Sequence, residues 1–154
     1  MSLDSYKKAK EIIYSNEDLA DFVGGHSEQL IELAEKKLSI KFNGLYLDFL
    51  KSFGAGNFGT QEIYGILGSD FDNSSVPDGI WYTLTERIES NLPNNLLVIY
   101  DTGSDELFCL DYKQLDINHE PKVVSYIPGV KKQPLEIIAN DFGDFLLDLV
   151  YQEL

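Results

Sequence analysis

The sequence has little of the residue types on which metal sites and disulfide scaffolds depend. It contains one cysteine, Cys109, and two histidines, His26 and His119, among 154 residues. A single cysteine excludes an intrachain disulfide, and its position in the apolar run "LFCL" predicts a buried structural thiol. The histidines lie in predicted loops, where we expect them at the surface. With Cys109 they do not have the spacing of zinc ligands, so we predict no metal and no cofactor.

Long uninterrupted apolar runs are also missing. The N-terminal stretch "MSLDSYKKAKEIIYSN" has neither the apolar core nor the cleavage pattern of a secretory signal. No later stretch approaches the roughly 20 apolar residues that a membrane-spanning helix needs. We therefore predict a cytoplasmic protein that does not insert into a membrane. The length fits one domain over residues 1–154, because no internal repeat, linker or low-complexity segment divides the sequence.

Basic residues are scarce, above all after the first third of the sequence. In total 12 basic residues stand against 26 acidic ones, and between Ser52 and Tyr112 only Arg87 is basic, against ten acidic residues. Binding to nucleic acid or to an anionic membrane requires clustered lysine and arginine, so both are disfavoured. A negative field attracts basic partners instead. The alternative is that the charge only keeps the protein soluble.

Hydrophobic periodicity predicts helices at both ends of the chain. Apolar residues recur at helical spacing in the first third, where Ser27 is the predicted N-cap of the second helix and a third helix covers 44–53. A further helix is predicted within "DGIWYTLTERIES" (78–90). The C-terminal helix begins behind Asp141, its predicted N-cap.

Strand signals occupy the middle of the sequence. Four short runs are rich in β-branched and aromatic residues and are bounded by Gly, Pro, Asn or Asp. They are "EIYGIL" (62–67), "LLVIY" (96–100), "LFCLDY" (107–112) and "VVSYI" (123–127). The turn "DTGSDE" (101–106) joins the second and third run as a hairpin would. This order predicts an α+β fold, with a mainly antiparallel central sheet, flanking N-terminal helices and a C-terminal helix.

Three glycines have the spacing of a dinucleotide-binding loop. Gly54, Gly56 and Gly59 give G-x-G-x-x-G in "FGAGNFG". A nucleotide loop follows a strand and opens a helix, whereas these glycines follow a predicted helix and precede a strand. A helix C-terminus carries partial negative charge and repels phosphate. We therefore expect Gly54 to be the left-handed residue after the helix, and we reject nucleotide binding.

Two other chemical motifs are incomplete. "DFDNSS" begins like a calcium loop, with Asp70, Asp72 and Ser74 at the first three ligand positions. Ser75 stands where that loop needs glycine, and Trp81 stands where it needs a bidentate glutamate. No G-x-S-x-G motif of a serine hydrolase is present. The sequence thus offers no catalytic constellation.

Three segments together resemble the SUKH superfamily, the Smi/Knr type of domain. They are "IELAEKKLSIKFNGLYLDFLKSFGAGNF" (31–58), "LLVIYDTGSDELFCLDY" (96–112) and "IIANDFGDFLLDLV" (137–150). They are similar to the family's helix and glycine-rich turn, to its strand, acidic turn and strand, and to its final helix. The sequence departs from the family at Phe42-Asn43, where Leu-Pro is usual.

The resemblance implies an α+β domain that acts by binding proteins and not by catalysis. Bacterial members are typically immunity proteins that neutralise toxin domains, many of them nucleases, and fungal relatives regulate cell-wall synthesis through protein contacts. We therefore predict a protein that is not an enzyme and whose partner is a cognate toxin with a basic surface. The alternative is a regulatory or scaffolding domain for endogenous proteins.

The predicted partner-binding residues combine acids with aromatic side chains, a combination that interface hot spots often show. They lie in "SDFDNSSVPDGIWY" (69–82) and in the turn 101–106. The set is Asp70, Phe71, Asp72, Asp78, Trp81, Tyr82, Asp101, Asp105 and Glu106. For Trp81 the alternative is a place in the core. For the acids of the turn it is a solvated sheet edge.

Overall fold

The computed structural model describes residues 2–154 and contains five helices and seven strands. The helices are α1 (Ser2–Ser15), α2 (Glu28–Leu38), α3 (Gly44–Ser52), α4 (Gly79–Glu89) and α5 (Phe142–Gln152). The strands are β1 (Ala20–Phe22), β2 (Gly56–Phe58), β3 (Gln61–Ile63), β4 (Leu96–Asp101), β5 (Leu107–Leu115), β6 (Pro121–Tyr126) and β7 (Glu136–Ala139). The predicted α+β class, with helices at both ends, is confirmed.

The strands form two antiparallel sheets. The larger has the order β4-β5-β6-β7, and the smaller has the order β1-β2-β3. Placing "EIYGIL" in the central sheet was therefore wrong, because β3 pairs with β2 through the register Gly56↔Ile63. The chain reverses between these strands at Gly59, whose φ of +59° is accessible to glycine. The two sheets remain linked where the Tyr64 N–H donates to the Ile99 carbonyl at 2.9 Å.

Side-chain caps fix the starts of three helices. The Ser27 Oγ accepts from the Leu30 N–H at 3.3 Å and the Asp141 Oδ1 accepts from the Asp144 N–H at 3.0 Å, as predicted for α2 and α5. The third such cap, at α4, is Asp78. Each cap satisfies N–H groups that have no partner within the helix.

Helix α3 is capped from a distant part of the chain. Asn43 precedes it in an extended conformation and makes no side-chain cap bond within residues 2–154. The carboxylate of Glu120, in the β5–β6 connection, accepts from the Leu45 N–H at 3.2 Å instead. Gly44 has a φ of +63°, which favours glycine, and a Cβ there would lie 1.7 Å from Glu120 Oε2, so a side chain at this position would displace the carboxylate.

The glycine-rich turn after α3 reverses the chain. Gly54 has a φ of +78° and its N–H donates to the Phe49 carbonyl at 3.1 Å, which confirms the predicted left-handed residue. His26 packs beside this turn, where its Nε2 hydrogen-bonds the Ile66 carbonyl. The expectation that His26 is a surface histidine was wrong, because this contact leaves it half-buried.

The larger sheet is buried on both faces. Leu97 and Ile99 of β4 pack with the helices in the main core, whereas Leu96 and Val98 pack in a second cluster on the opposite face. Cys109 is fully buried in this second cluster, which confirms the predicted structural thiol, and burial raises its pKa. Helix α4 lies beside β4, where its Thr83 Oγ1 accepts from the Val98 N–H at 2.9 Å. Its Ile80 packs in the main core, and its Tyr82 packs against the second cluster.

Candidate protein-interaction surface

Asp78 lies inside the protein, where it organises the start of α4. Its Oδ1 accepts from the N–H groups of Ile80 and Trp81 at 3.0 and 2.9 Å, and its Oδ2 accepts from the Leu67 N–H at 3.0 Å. Burial raises the pKa of Asp78, and these hydrogen bonds act in the opposite direction. The side chain is fully buried, so it has no surface to offer to a partner.

Phe71 is also internal, although its neighbours are exposed. It is 3% exposed and packs in the main core, where it anchors the loop between β3 and α4. Asp70 Oδ1 accepts from the N–H groups of Asp72 and Asn73 and shapes the loop. Asp72 pairs with Lys37 of α2 at 3.4 Å, so part of its charge is already compensated.

The aromatic pair on α4 lies between core and surface. Trp81 and Tyr82 are both half-buried, with ring centroids 6.1 Å apart in a T-shaped arrangement. Tyr82 also contacts Tyr64, at 5.5 Å between centroids. Trp81 is therefore not one of the fully buried core side chains, and Tyr82 joins the second cluster from its edge.

The β4–β5 turn presents the remaining predicted acids. Asp101 Oδ1 accepts from the Gly103 N–H at 2.9 Å, and Thr102 Oγ1 donates to the Glu106 carbonyl at 2.8 Å. Asp101 and Asp105 are exposed. Glu106 is half-buried, because its Oε2 accepts from the Ser125 hydroxyl of the adjacent strand at 2.5 Å. The turn is thus held by its own hydrogen bonds, with two carboxylates pointing to solvent.

Three of the nine predicted residues meet in one depression, which we call the hairpin groove. Its volume is about 420 Å³. Tyr82, Asp101 and Asp105 line it, together with Ser104, Leu107, Ile127, Pro128 and Val130. Glu106 is the next residue of the same turn, whereas Asp70 and Asp72 belong to the loop that packs near α2.

Sequence reasoning missed the apolar side of this groove. Ile127 and Val130, in the segment after β6, are 36% and 47% exposed. The signal available in the sequence was the stretch "YIPGV", in which apolar residues flank a Pro-Gly turn and therefore have little chance of being buried. Nothing local in the sequence indicated that this turn lies beside the acidic one.

The charges that act on the Tyr82 hydroxyl come mainly from carboxylates. Burial, followed by the charges of Asp101 and Glu86, raises the pKa of Tyr82. Burial, followed by the charge of Asp101, also raises the pKa of Glu62. We call the set formed by Glu62, Glu86, Glu89, Asp101, Asp105 and Glu106 the acidic surface. None of its members belongs to an ion pair among the described side chains, although five such pairs occur elsewhere.

Comparison with models of known protein families identifies the family of this chain. The family model SUKH_5, described as SMI1-KNR4 cell-wall, matches residues 2–152. A comparison with curated proteins finds no match. Over the described residues, none of the helices has the length and apolar character needed to cross a bilayer. The match spans almost the whole sequence, and the chain therefore belongs to the SUKH superfamily, in its SMI1-KNR4 family.

Proposed function

We propose that the protein is a non-catalytic bacterial immunity protein that binds a toxin and neutralises it by covering its surface. Membership of the SUKH superfamily is consistent with a protein-interaction role of this type. The observation that carries the proposal is the acidic surface, whose six carboxylates form no ion pair with any side chain that the structure describes. A nuclease surface built to bind phosphate is basic, and it would supply the missing positive charge.

The charges favour rapid association more than strong affinity. Exposed ion pairs contribute only about 0.2 to 1 kcal/mol each, whereas a field of one sign accelerates encounter by roughly 10-fold to 10³-fold. Affinity would come from apolar contact with the hairpin groove and with the half-buried aromatic residues of α4. The association rate should therefore fall steeply as salt rises, because the Debye length shrinks from about 10 Å at 0.1 M to about 3 Å at 1 M.

The proposed contact residues are those that the structure leaves accessible. Phe71 and Asp78 are withdrawn because they are buried, and the remaining set is Asp70, Asp72, Trp81, Tyr82, Asp101, Asp105 and Glu106. Within this set we place the centre of the contact at the hairpin groove. Asp70 and Asp72 would contribute at its periphery.

A pull-down from the native host tests the proposal. The tagged protein is incubated with lysate and washed at low and then high salt, and bound proteins are identified by mass spectrometry. We expect one basic toxin domain, encoded beside this gene and released by salt, and we expect co-expression to protect cells from that toxin. A captured toxin that retains its full activity in the complex would contradict neutralisation.

A regulatory or scaffolding role is the second candidate, and the family description, which names the cell wall, favours it. The partner would then be an endogenous protein. Deletion of the gene would alter growth or envelope integrity in cells that carry no toxin. An immunity protein whose toxin is absent would leave growth unchanged.

A further inference from the structure

The hairpin groove combines an apolar lining with free carboxylates. The segment after β6 contributes the exposed side chains of Ile127 and Val130, and Leu107, only 3% exposed, lies at the base. The β4–β5 turn contributes Asp101 and Asp105. A side chain that fills this groove must therefore be apolar along its length and cationic at its end.

The two carboxylates have acceptor capacity to spare. Asp101 uses Oδ1 to accept from the Gly103 N–H, and Asp105 accepts no hydrogen bond from the residues that the structure describes. Neither forms an ion pair within residues 2–154. An ionised carboxylate offers about four lone-pair sites, so most of this capacity faces the groove or solvent.

The third element is the ring of Tyr82, which also lines the groove. A guanidinium group stacks on aromatic rings and donates two parallel hydrogen bonds to a carboxylate, whereas an ammonium group is a compact and strongly hydrated point charge. The arginine side chain also carries an apolar stem that can cover Ile127 and Val130. These properties match the groove better than those of lysine.

We propose that the hairpin groove receives an arginine side chain of the partner, with its guanidinium over Tyr82 and against Asp101 and Asp105. The inference rests on the proposed function, since it assumes that the acidic surface faces a basic protein. It names the residue type that the partner must present, arginine, and the groove in which that residue binds. Arginine is among the residues enriched at the energetic centres of protein interfaces.

The test uses short peptides, so it does not require the toxin. The ¹⁵N-labelled protein is titrated at low salt with blocked Gly-Arg-Gly, and with the matched peptides that carry lysine or citrulline in the central position. Citrulline has nearly the shape of arginine but no charge. We expect the arginine peptide to shift the amide signals of Gly103, Ser104 and Asp105 together with those of Ile127 and Val130, and to bind at least fivefold more tightly than the other two.

Variants of the protein locate the binding site. Asp101→Asn combined with Asp105→Asn should weaken arginine binding about fivefold or more, because each exposed charge pair accounts for up to about that factor. Asp105→Asn alone should give a smaller loss, and it disturbs no hydrogen bond of the turn. Asp148→Asn, on an exposed position of α5, removes one charge as Asp105→Asn alone does, and it should leave binding unchanged.

Several results would overturn the arginine proposal. The first is that the citrulline or lysine peptide binds as tightly as the arginine peptide. The second is that the amide shifts are confined to other parts of the molecule, or that no peptide causes a shift. The third is that the double variant binds the arginine peptide with unchanged affinity. Each of these results leaves the proposed function open to its own test, the pull-down. Conversely, failure to capture a toxin would not alter the peptide result.

Discussion

A buried carboxylate at the start of α3 leads to a prediction about stability. Glu120 is 7% exposed and accepts from the Leu45 N–H. Burial raises its pKa to about 7, the Leu45 hydrogen bond opposes this rise, and the nearby charges of Asp141 and Asp116 add to it. Asp141 is itself fully buried, and its Oδ2 has no hydrogen-bond partner among the described residues. The site therefore disfavours the ionised form of Glu120.

The cost of ionising Glu120 follows from the pKa. One pKa unit corresponds to about 1.4 kcal/mol, so a rise from 4.5 to about 7 corresponds to about 3 kcal/mol. Between these two values the folded protein holds the proton that the unfolded chain releases. The contribution of this residue to stability is therefore present below about pH 4.5, and it is lost as the pH rises through 7.

Replacing Glu120 by glutamine should remove this pH dependence. The amide is nearly isosteric and uncharged, and its oxygen can still accept from the Leu45 N–H. We expect Glu120→Gln to be more stable than the wild type by up to about 3 kcal/mol at pH 8, with the difference shrinking towards zero near pH 4.5. Urea unfolding followed by the fluorescence of Trp81 measures this difference at each pH.

A matched variant separates Glu120 from the general effect of charge. Glu136→Gln removes one negative charge from an exposed position and should change stability by less than about 0.5 kcal/mol at every pH. A Glu120→Gln variant that is less stable than the wild type at pH 8 would show that ionised Glu120 does not destabilise the fold. A stability difference between the two proteins that does not vary with pH would show that the pKa of Glu120 is not raised in the folded protein.

Two further predictions concern buried groups. Asp78→Ala should destabilise the protein by about 2 kcal/mol or more in urea unfolding. It removes the cap of α4 and leaves the Leu67 N–H without its acceptor. Asp70→Ala, in the same loop but exposed, should lower the free energy of unfolding much less. Cys109 should react with a disulfide reagent at pH 8 only after unfolding, since the thiol is buried and its pKa is raised. Rapid modification of the native protein would show that the second cluster opens.

The sequence indicated most helices and their starts because those signals are local. Ser27 and Asp141 lie within three residues of the N–H groups that they cap, so spacing along the chain is sufficient. Strands β1, β2 and β7 were not predicted, since three or four residues are too few to show an alternating pattern. Glu120 and the Leu45 N–H that it caps are 75 residues apart in the sequence, so no local pattern predicts this contact.

The candidate site was found only in part, for a related physical reason. Tyr82, Asp101 and Asp105 combine aromatic and acidic character and do share a groove. Phe71 and Asp78 look similar in sequence, yet an aspartate immediately before a helix is also a cap signature, and its capping bonds draw Asp78 inside. The apolar side of the groove comes from a turn about 25 positions later, which only the pairing of β5 with β6 brings to the hairpin.

The role of the acidic surface is tested most directly by the affinity of the captured toxin for charge variants of the protein. Asp101→Asn, Asp105→Asn and Glu106→Gln are combined in one variant. Asp18→Asn, Glu32→Gln and Asp148→Asn, which are exposed and outside the acidic surface, form a control with the same net charge. We predict that the first variant binds about tenfold or more weakly and with a smaller salt dependence, while the control stays within about twofold. Equal affinity of the two variants would contradict a role for the acidic surface in binding.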